Sequence, residues 1–262
     1  MSSPDKNNQH TTDTGRTYTT PFGELPSVTS VLKIYDNGKT GALMGWACKL
    51  MAEYLLTLSN KDGIFIRKDE LEGVLKTAKA QHKEQKKAAG DLGSEVHNLI
   101  EVFLRGQKVD ALLKANKLLE KPFEAFLSWH KKEGFEFIAC EQQVCTKRFA
   151  GTLDGLANKN GELWVIDFKS SNRIDSTYLW QIAAYRDCAE NGWQNINGEW
   201  KQNFYNVKGG AAVLRLDKIT GLPEFVPYSI AEADWGLACF NKLLDLWELT
   251  NKKWRRISKW QI

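Results

Sequence analysis

Residues 149–170 read FAGTLDGLANKNGELWVIDFKS. Two β-prone apolar runs flank Asn160-Gly161. That dipeptide favours a two-residue type I′ turn, because both central positions need positive φ and Asn-Gly supplies it. Counting back from Lys159 opposite Glu162, Asp154 falls opposite Asp167. Directly opposed residues bring their Cβ atoms to about 4.5–5.5 Å. Lys169 is two residues past Asp167, so alternation turns it to the same side. Like charges face to face destabilise a hairpin. The two acids therefore call for a cation, either a divalent metal or Lys169 itself.

The strand bearing Asp167 is apolar on both faces, with Leu163 and Val165 on one and Trp164, Ile166 and Phe168 on the other. Such a strand belongs in the middle of a sheet covered on both sides. Asp167 and Lys169 then come at the polar end of a buried strand. Oxygen donors converging there suit a hard cation such as Mg²⁺. A lysine beside that ion can hold or activate a water for attack on phosphorus. A plain Asp–Lys pair at a strand end would show the same letters.

Outward from the hairpin, residues 135–146, 211–217 and 224–229 also read as strands. Helical spacing marks roughly 40–58, 68–89, 93–105, 110–132 (with a break at Pro122), 175–190 and 231–255. Leu25–Ser30 introduces a helix, with Ser27 or Thr29 as N-cap. The stretch 191–210 is a polar excursion containing aromatics. Residues 1–20 are polar and almost free of aliphatics, so they are expected to be a disordered tail. The fold class is α+β: a small mixed central sheet flanked by helices, with a helical N-terminal half. A single domain is expected over 21–262, helical over 21–132, with the sheet core and last helix over 133–262.

The chain of 262 residues is 42% hydrophobic and 26% charged, enough apolar content for a core and too much for general disorder. No apolar run approaches the ~20 residues of a membrane span, and no apolar segment of the secretory type follows Met1. Five scattered cysteines without a CxxC pair argue against a zinc ribbon, an iron–sulfur cluster and a disulfide framework, and suit a reducing compartment such as the cytoplasm. A net charge of +4 names no partner.

Gly151-Thr152-Leu153-Asp154 followed by Ile166-Asp167-Phe168-Lys169-Ser170 resembles the signature of the PD-(D/E)XK nuclease superfamily. Three further segments are similar to its RecB-like branch. These are Gly93-Ser94-Glu95-Val96-His97, Gln181-Ile182-Ala183-Ala184-Tyr185, and Leu25–Leu32 with Trp46 downstream, the last as in phage and mitochondrial-genome-maintenance exonucleases. The resemblance implies a restriction-endonuclease-like core and a metal-dependent deoxyribonuclease, an exonuclease on single-stranded or frayed DNA in replication, recombination or repair. It implies Asp154, Asp167, His97 and the Phe168 carbonyl as ligands of one or two Mg²⁺ or Mn²⁺ ions, with Lys169 as the catalytic lysine. An imidazole ligand tilts such a site toward Mn²⁺. A replication or recombination protein is an implied partner. An endonuclease, or a catalytically silent nucleic-acid-binding module of the same fold, are the other readings. The cysteine cluster of the iron–sulfur members is missing, so no cluster is expected.

His97 borders the apolar stripe of its helix, where a histidine is also an ordinary core residue. Gln181 and Tyr185 share a helix face, and the functional reading has Gln181 bonded to Lys169 or a phosphate and Tyr185 supporting it. Glu141 and Glu101 could reach the site or face solvent. Ser27, Thr29 and Ser30 could offer hydroxyls and helix-start N–H groups to a phosphate, or simply cap. Lys76, Lys79, Lys83, Lys86 and Lys87 form a basic stripe, with Lys83 and Lys86 taken as nucleic-acid contacts. Lys252–Arg256 with Lys259 and Trp260 mixes cations and aromatics as single-strand binders do. Trp193, Trp200, Phe204 and Tyr205 could stack bases or close a loop onto the core.

Overall fold

The computed structural model describes residues 8–12, 15–35, 39–59, 63–64, 66–203 and 205–251. The chain divides into two compact units, Met1–Tyr35 with Val96–Ile262, and Asp36–Glu95. From sequence, a single domain over 21–262 is the expectation. The smaller unit contains α2 (Lys39–Thr57) and most of α3 (Leu71–Leu104). In α2, Leu50 is buried, while Met44 and Leu56 are exposed. The last turns of α3, from Val96 onward, belong to the larger unit.

The larger unit is built on a seven-stranded mixed sheet of order β10-β9-β6-β5-β4-β7-β8. Its strands are β4 (Glu136–Cys145), β5 (Ala150–Lys159), β6 (Glu162–Lys169), β7 (Trp193–Ile196), β8 (Glu199–Gln202), β9 (Gly210–Leu216) and β10 (Pro223–Tyr228). The Asn-Gly turn is present, with φ of 55° at Asn160 and 84° at Gly161. It sets Lys159 opposite Glu162 and carries the register to Gly155 opposite Ile166. β6 runs parallel to β9, so it is flanked by strands on both sides and Val165, Ile166 and Asp167 are fully buried. On one side of the sheet pack α1 (Val28–Leu32), α6 (Ser176–Asn191) and α7 (Ile230–Asn251), in a core that includes Val31, Ile182 and Phe240. On the other lie α5 (Glu120–Glu133) and an aromatic cluster in which Phe126 touches Trp129, Phe137 and Phe168. This is the α+β, restriction-endonuclease-like arrangement read from the sequence.

Four elements differ from expectation. The tail over 1–20 is instead ordered over its described part: β1 (Gln9–Thr12) and β2 (Gly15–Thr20) join β3 (Gly23–Pro26) in a three-stranded sheet. Too polar for a core of its own, this sheet anchors Tyr18 and Leu25 against Cys145 and Ala150 of the large sheet. The helices read at 68–89 and 93–105 are one, α3, running through Gly90 and Gly93. The break read at Pro122 falls at Asn116, between α4 (Asp110–Ala115) and a 3-10 turn at Lys117–Leu119. Pro122 sits in the first turn of α5, where its missing N–H costs no intrahelical bond. The 191–210 excursion contains the hairpin β7–β8, turned by Asn197 and Gly198 at positive φ (53° and 89°).

Candidate metal centre

β5 and β6 pair regularly up to Gly155–Ile166, and their ladder ends there, one pair short of Asp154 and Asp167. At this fork Asp154 turns its carboxylate onto the next strand, where Oδ2 accepts the Phe168 N–H at 2.7 Å. Its Oδ1 lies 3.4 Å from His97 Nδ1. The other side of His97 is fixed too, since Nε2 donates to the Phe168 carbonyl at 3.0 Å. β4 then supplies a third acid. Cys140 and Gln142 pair with Gly155 and Leu153, which sets Glu141 beside Asp154, and Glu141 Oε1 is 3.3 Å from His97 Nδ1. Glu141 adopts φ of 49° inside a strand, a conformation a residue with a Cβ adopts at a cost and one that clusters at functional sites.

One ligand atom each from His97, Glu141 and Asp154 lies within 4.8 Å of the others. One nitrogen and two carboxylate oxygens are a donor set that divalent ions such as Mg²⁺, Mn²⁺ or Zn²⁺ accept. Asp167 is adjacent but differently engaged. It is wholly buried, with its Oδ2 2.5 Å from the Lys169 ammonium and no well-formed hydrogen bond to either oxygen among the described residues. Lys169 also lies over the Tyr178 ring, 5.1 Å from its centre.

The electrostatics follow from burial set against pairing. Burial pushes the Asp167 carboxyl up, Lys169 only partly offsets it, nearby Asp154 adds to it, and the result is about 7. Burial would also raise Asp154, but His97, Lys169 and the Phe168 N–H outweigh it and hold this carboxyl below its usual value. Burial alone would depress His97. The carboxylates of Asp154 and Glu141 prevail and keep it protonated well above the ordinary histidine range. Lys169 is likewise raised by Asp167 and Asp154 against its burial. His97 is thus a cation seated among acids, and it must give up that proton to act as a ligand.

α6 begins at Asp175, whose Oδ1 accepts the Thr177 N–H at 3.0 Å. One helical turn brings Gln181 Nε2 to the Tyr185 hydroxyl, 3.3 Å away, both residues buried. A Cβ built on Gly151 would come within 2.5 Å of Tyr185 Cε1, so the glycine of Gly151-Thr152-Leu153-Asp154 makes room for that ring.

Other residues picked from the sequence have internal partners. Ser27 caps α1 by accepting the Ser30 N–H at 3.0 Å. Ser30 Oγ receives the Arg16 N–H and donates to the Arg16 carbonyl, and Ser27 Oγ also bonds Thr29. Ser27 and Ser30 are buried, and Thr29 is exposed. Glu101 pairs with Arg105 at 2.5 Å. Trp193 packs edge-on against Phe22, 4.5 Å between centres, and with Trp200 lies against the cluster around Tyr18. The lysines 76, 79, 83, 86 and 87 are exposed on the part of α3 in the smaller unit. Phe204 and the basic segment from Lys252 to Trp260 lie outside the described residues.

Sequence alone leaves Glu141 and Glu101 open between site and solvent, and the structure brings Glu141 to His97. The four residues Thr146–Phe149 between β4 and β5 set Cys145 opposite Ala150, and that register carries Glu141 to Asp154. Four-residue loops fix register less firmly than Asn-Gly does, which is why the same counting was decisive for Asp167 alone.

A profile of the PD-(D/E)XK nuclease superfamily matches residues 112–257, more than half of the chain. The chain belongs to that superfamily, a family of metal-dependent nucleases, and DNA is the substrate class its fold implies. His97 and the N-terminal sheet lie outside the matched stretch. A search of curated proteins gives no match. No helix among the described residues is long and apolar enough to cross a membrane.

Proposed function

We propose that the protein is a divalent-metal-dependent deoxyribonuclease of the RecB-like branch, acting as an exonuclease on single-stranded or frayed DNA in replication, recombination or repair, with Mg²⁺ or Mn²⁺. The observation that carries it is the fork between β5 and β6, where His97, Glu141 and Asp154 converge beside the buried Asp167–Lys169 pair. The three acids and the His97 imidazole, with the Phe168 carbonyl, would hold the ion. When bound, it would supply Lewis-acid polarisation of the phosphate and charge neutralisation at the leaving oxygen.

The chain's own groups have defined tasks in this reading. Lys169 is held as an ammonium by Asp167, aimed from a strand end, and orients the attacking water or stabilises charge on phosphorus. Asp167 keeps that ammonium in place from a position closed to solvent. The Phe168 N–H and carbonyl lock Asp154 and His97, so both face the same point from different elements. Gln181 would bond Lys169 or a phosphate, and Tyr185, bonded to its amide and packed on Gly151, supports it.

The test is cleavage of end-labelled single strands, compared with closed circular DNA, in Mg²⁺ and in Mn²⁺. Lys169→Ala should cut at least a thousandfold more slowly while binding DNA as before. Release of mononucleotides or short products from linear DNA alone marks an exonuclease. Wild-type protein that cuts no DNA with either ion ends the reading.

A further inference from the structure

β1 and β2 bring hydrogen-bonding side chains to β5 just upstream of Asp154. Gln9 Nε2 donates to Thr152 Oγ1 at 3.2 Å, and the Tyr18 hydroxyl shares a bond with the same oxygen at 3.1 Å. Gln9 and Tyr18 are cross-strand partners in the small sheet. Thr152 is two residues before Asp154, about 7 Å along the strand and on the same side of it. Tyr18 is buried, so it serves as the post on which the sheet rests.

Arg16 stands two residues from Tyr18 on the same side of β2. Its backbone is held at both ends, with N–H donated to Ser30 Oγ at 2.8 Å and the carbonyl accepting from Ser30 Oγ at 3.0 Å and from the Ser27 N–H at 2.9 Å. Gly15, at φ of 121°, lets the strand approach this close, because a Cβ there would overlap Ser30. Arg16 is exposed, its side chain bonds the Tyr18 hydroxyl, and no acid among the described residues pairs with it. β1 and β2 contain no acid at all. A cation anchored on Tyr18 and a free amide hydrogen of Gln9 thus sit on two strands without acids, next to a centre crowded with carboxylates that repel a polyanion.

We propose that Arg16 and Gln9 form a phosphate-binding subsite for the nucleic-acid strand, about one nucleotide step from the scissile phosphate, with Tyr18 and Thr152 positioning them. Here the hydroxyls of Ser27 and Ser30 serve the subsite indirectly, by fixing the Arg16 backbone. The proposal rests on the reading of the fork as a nuclease centre. It assigns a role to the N-terminal sheet that the chemistry at the fork does not use.

The experiment measures binding of a fluorescent single-stranded oligonucleotide to the full chain in EDTA across a salt series, so it needs no cleavage. One lost phosphate contact on a single strand lowers the slope of log affinity against log salt by about 0.7, equivalent to about fivefold weaker binding at 0.1 M salt. Arg16→Ala should show both effects, Arg16→Lys should recover the slope, and Gln9→Ala should weaken binding with little change of slope. In Mn²⁺ Arg16→Ala and Gln9→Ala should raise KM and leave kcat within twofold. Unchanged affinity and slope in Arg16→Ala overturn the subsite. So does a fall in kcat at constant KM, or equal losses in Arg16→Ala and Arg16→Lys accompanied by a lowered melting temperature. Failure of the nuclease reading appears separately, as absent cleavage by the wild type.

Discussion

Replacing Asp167 by asparagine should stabilise the metal-free protein at neutral pH, even though it removes a residue at the heart of the site. The side chain is wholly buried, and its carboxyl titrates at about 7 in the fold against 3.8 as the ordinary value. Between those pH values the folded chain binds more protons than the unfolded chain, so stability falls as pH rises through the window. The gap corresponds to on the order of 4 kcal/mol at pH 7. Asparagine has nearly the same shape and no charge to bury, but its amide is left without a full set of partners, a cost of roughly 1–3 kcal/mol. The net gain at pH 7 is about 1–3 kcal/mol, or several degrees in melting temperature for a chain of this size. At pH 4 the wild-type carboxyl is already protonated, and the gain should vanish or change sign. The assay is the melting difference between variant and wild type from pH 4 to 8 in EDTA, which cancels titrations the two share. A variant that is less stable at pH 7, or a difference that does not vary with pH, refutes the reasoning. Addition of Mn²⁺ should raise the wild-type melting temperature by selective binding to the folded state and move the variant far less.

Glu141→Gln should weaken Mn²⁺ at least tenfold, read from the dependence of melting temperature on Mn²⁺ concentration, because one of three charged or imidazole donors within 4.8 Å is lost; an unchanged dependence removes Glu141 from the ligand set. Gly151→Ala should cost about 1–3 kcal/mol by overpacking the Tyr185 ring, read from the denaturant midpoint, and a wild-type midpoint would show that the ring can yield.

The hairpin was legible because its determinants are local. Asn160-Gly161 dictates positive φ at two successive positions, and the turn then counts every residue along both strands. The same letters at Asn197-Gly198 turn β7–β8, so that hairpin was equally readable, although its strands are only four residues each and carry little alternation. Burial of β6 follows from apolar residues on both faces, and the start of α1 from Ser27 and Thr29 before an apolar helix, of which Ser27 is the cap. Helical spacing read as two stretches, 68–89 and 93–105, is one continuous helix in α3, because no residue between them breaks it.

What the sequence by itself determined is the βββ core, the position of Asp154, Asp167 and Lys169 at one end of it, and the superfamily resemblance, all of which depend on neighbours in the chain. Only the tertiary structure decided the rest. His97 and Glu141 meet Asp154 from residues 57 and 13 positions earlier in the chain, where no local rule sets their distance. The polar strand β2 is ordered because Tyr18 finds Cys145 and Ala150 to rest on, a surface that exists only once the large sheet has formed. The charge state of Asp167 is set the same way: a carboxyl that is ordinary in an open chain becomes a costly anion when a folded sheet excludes water from both its oxygens.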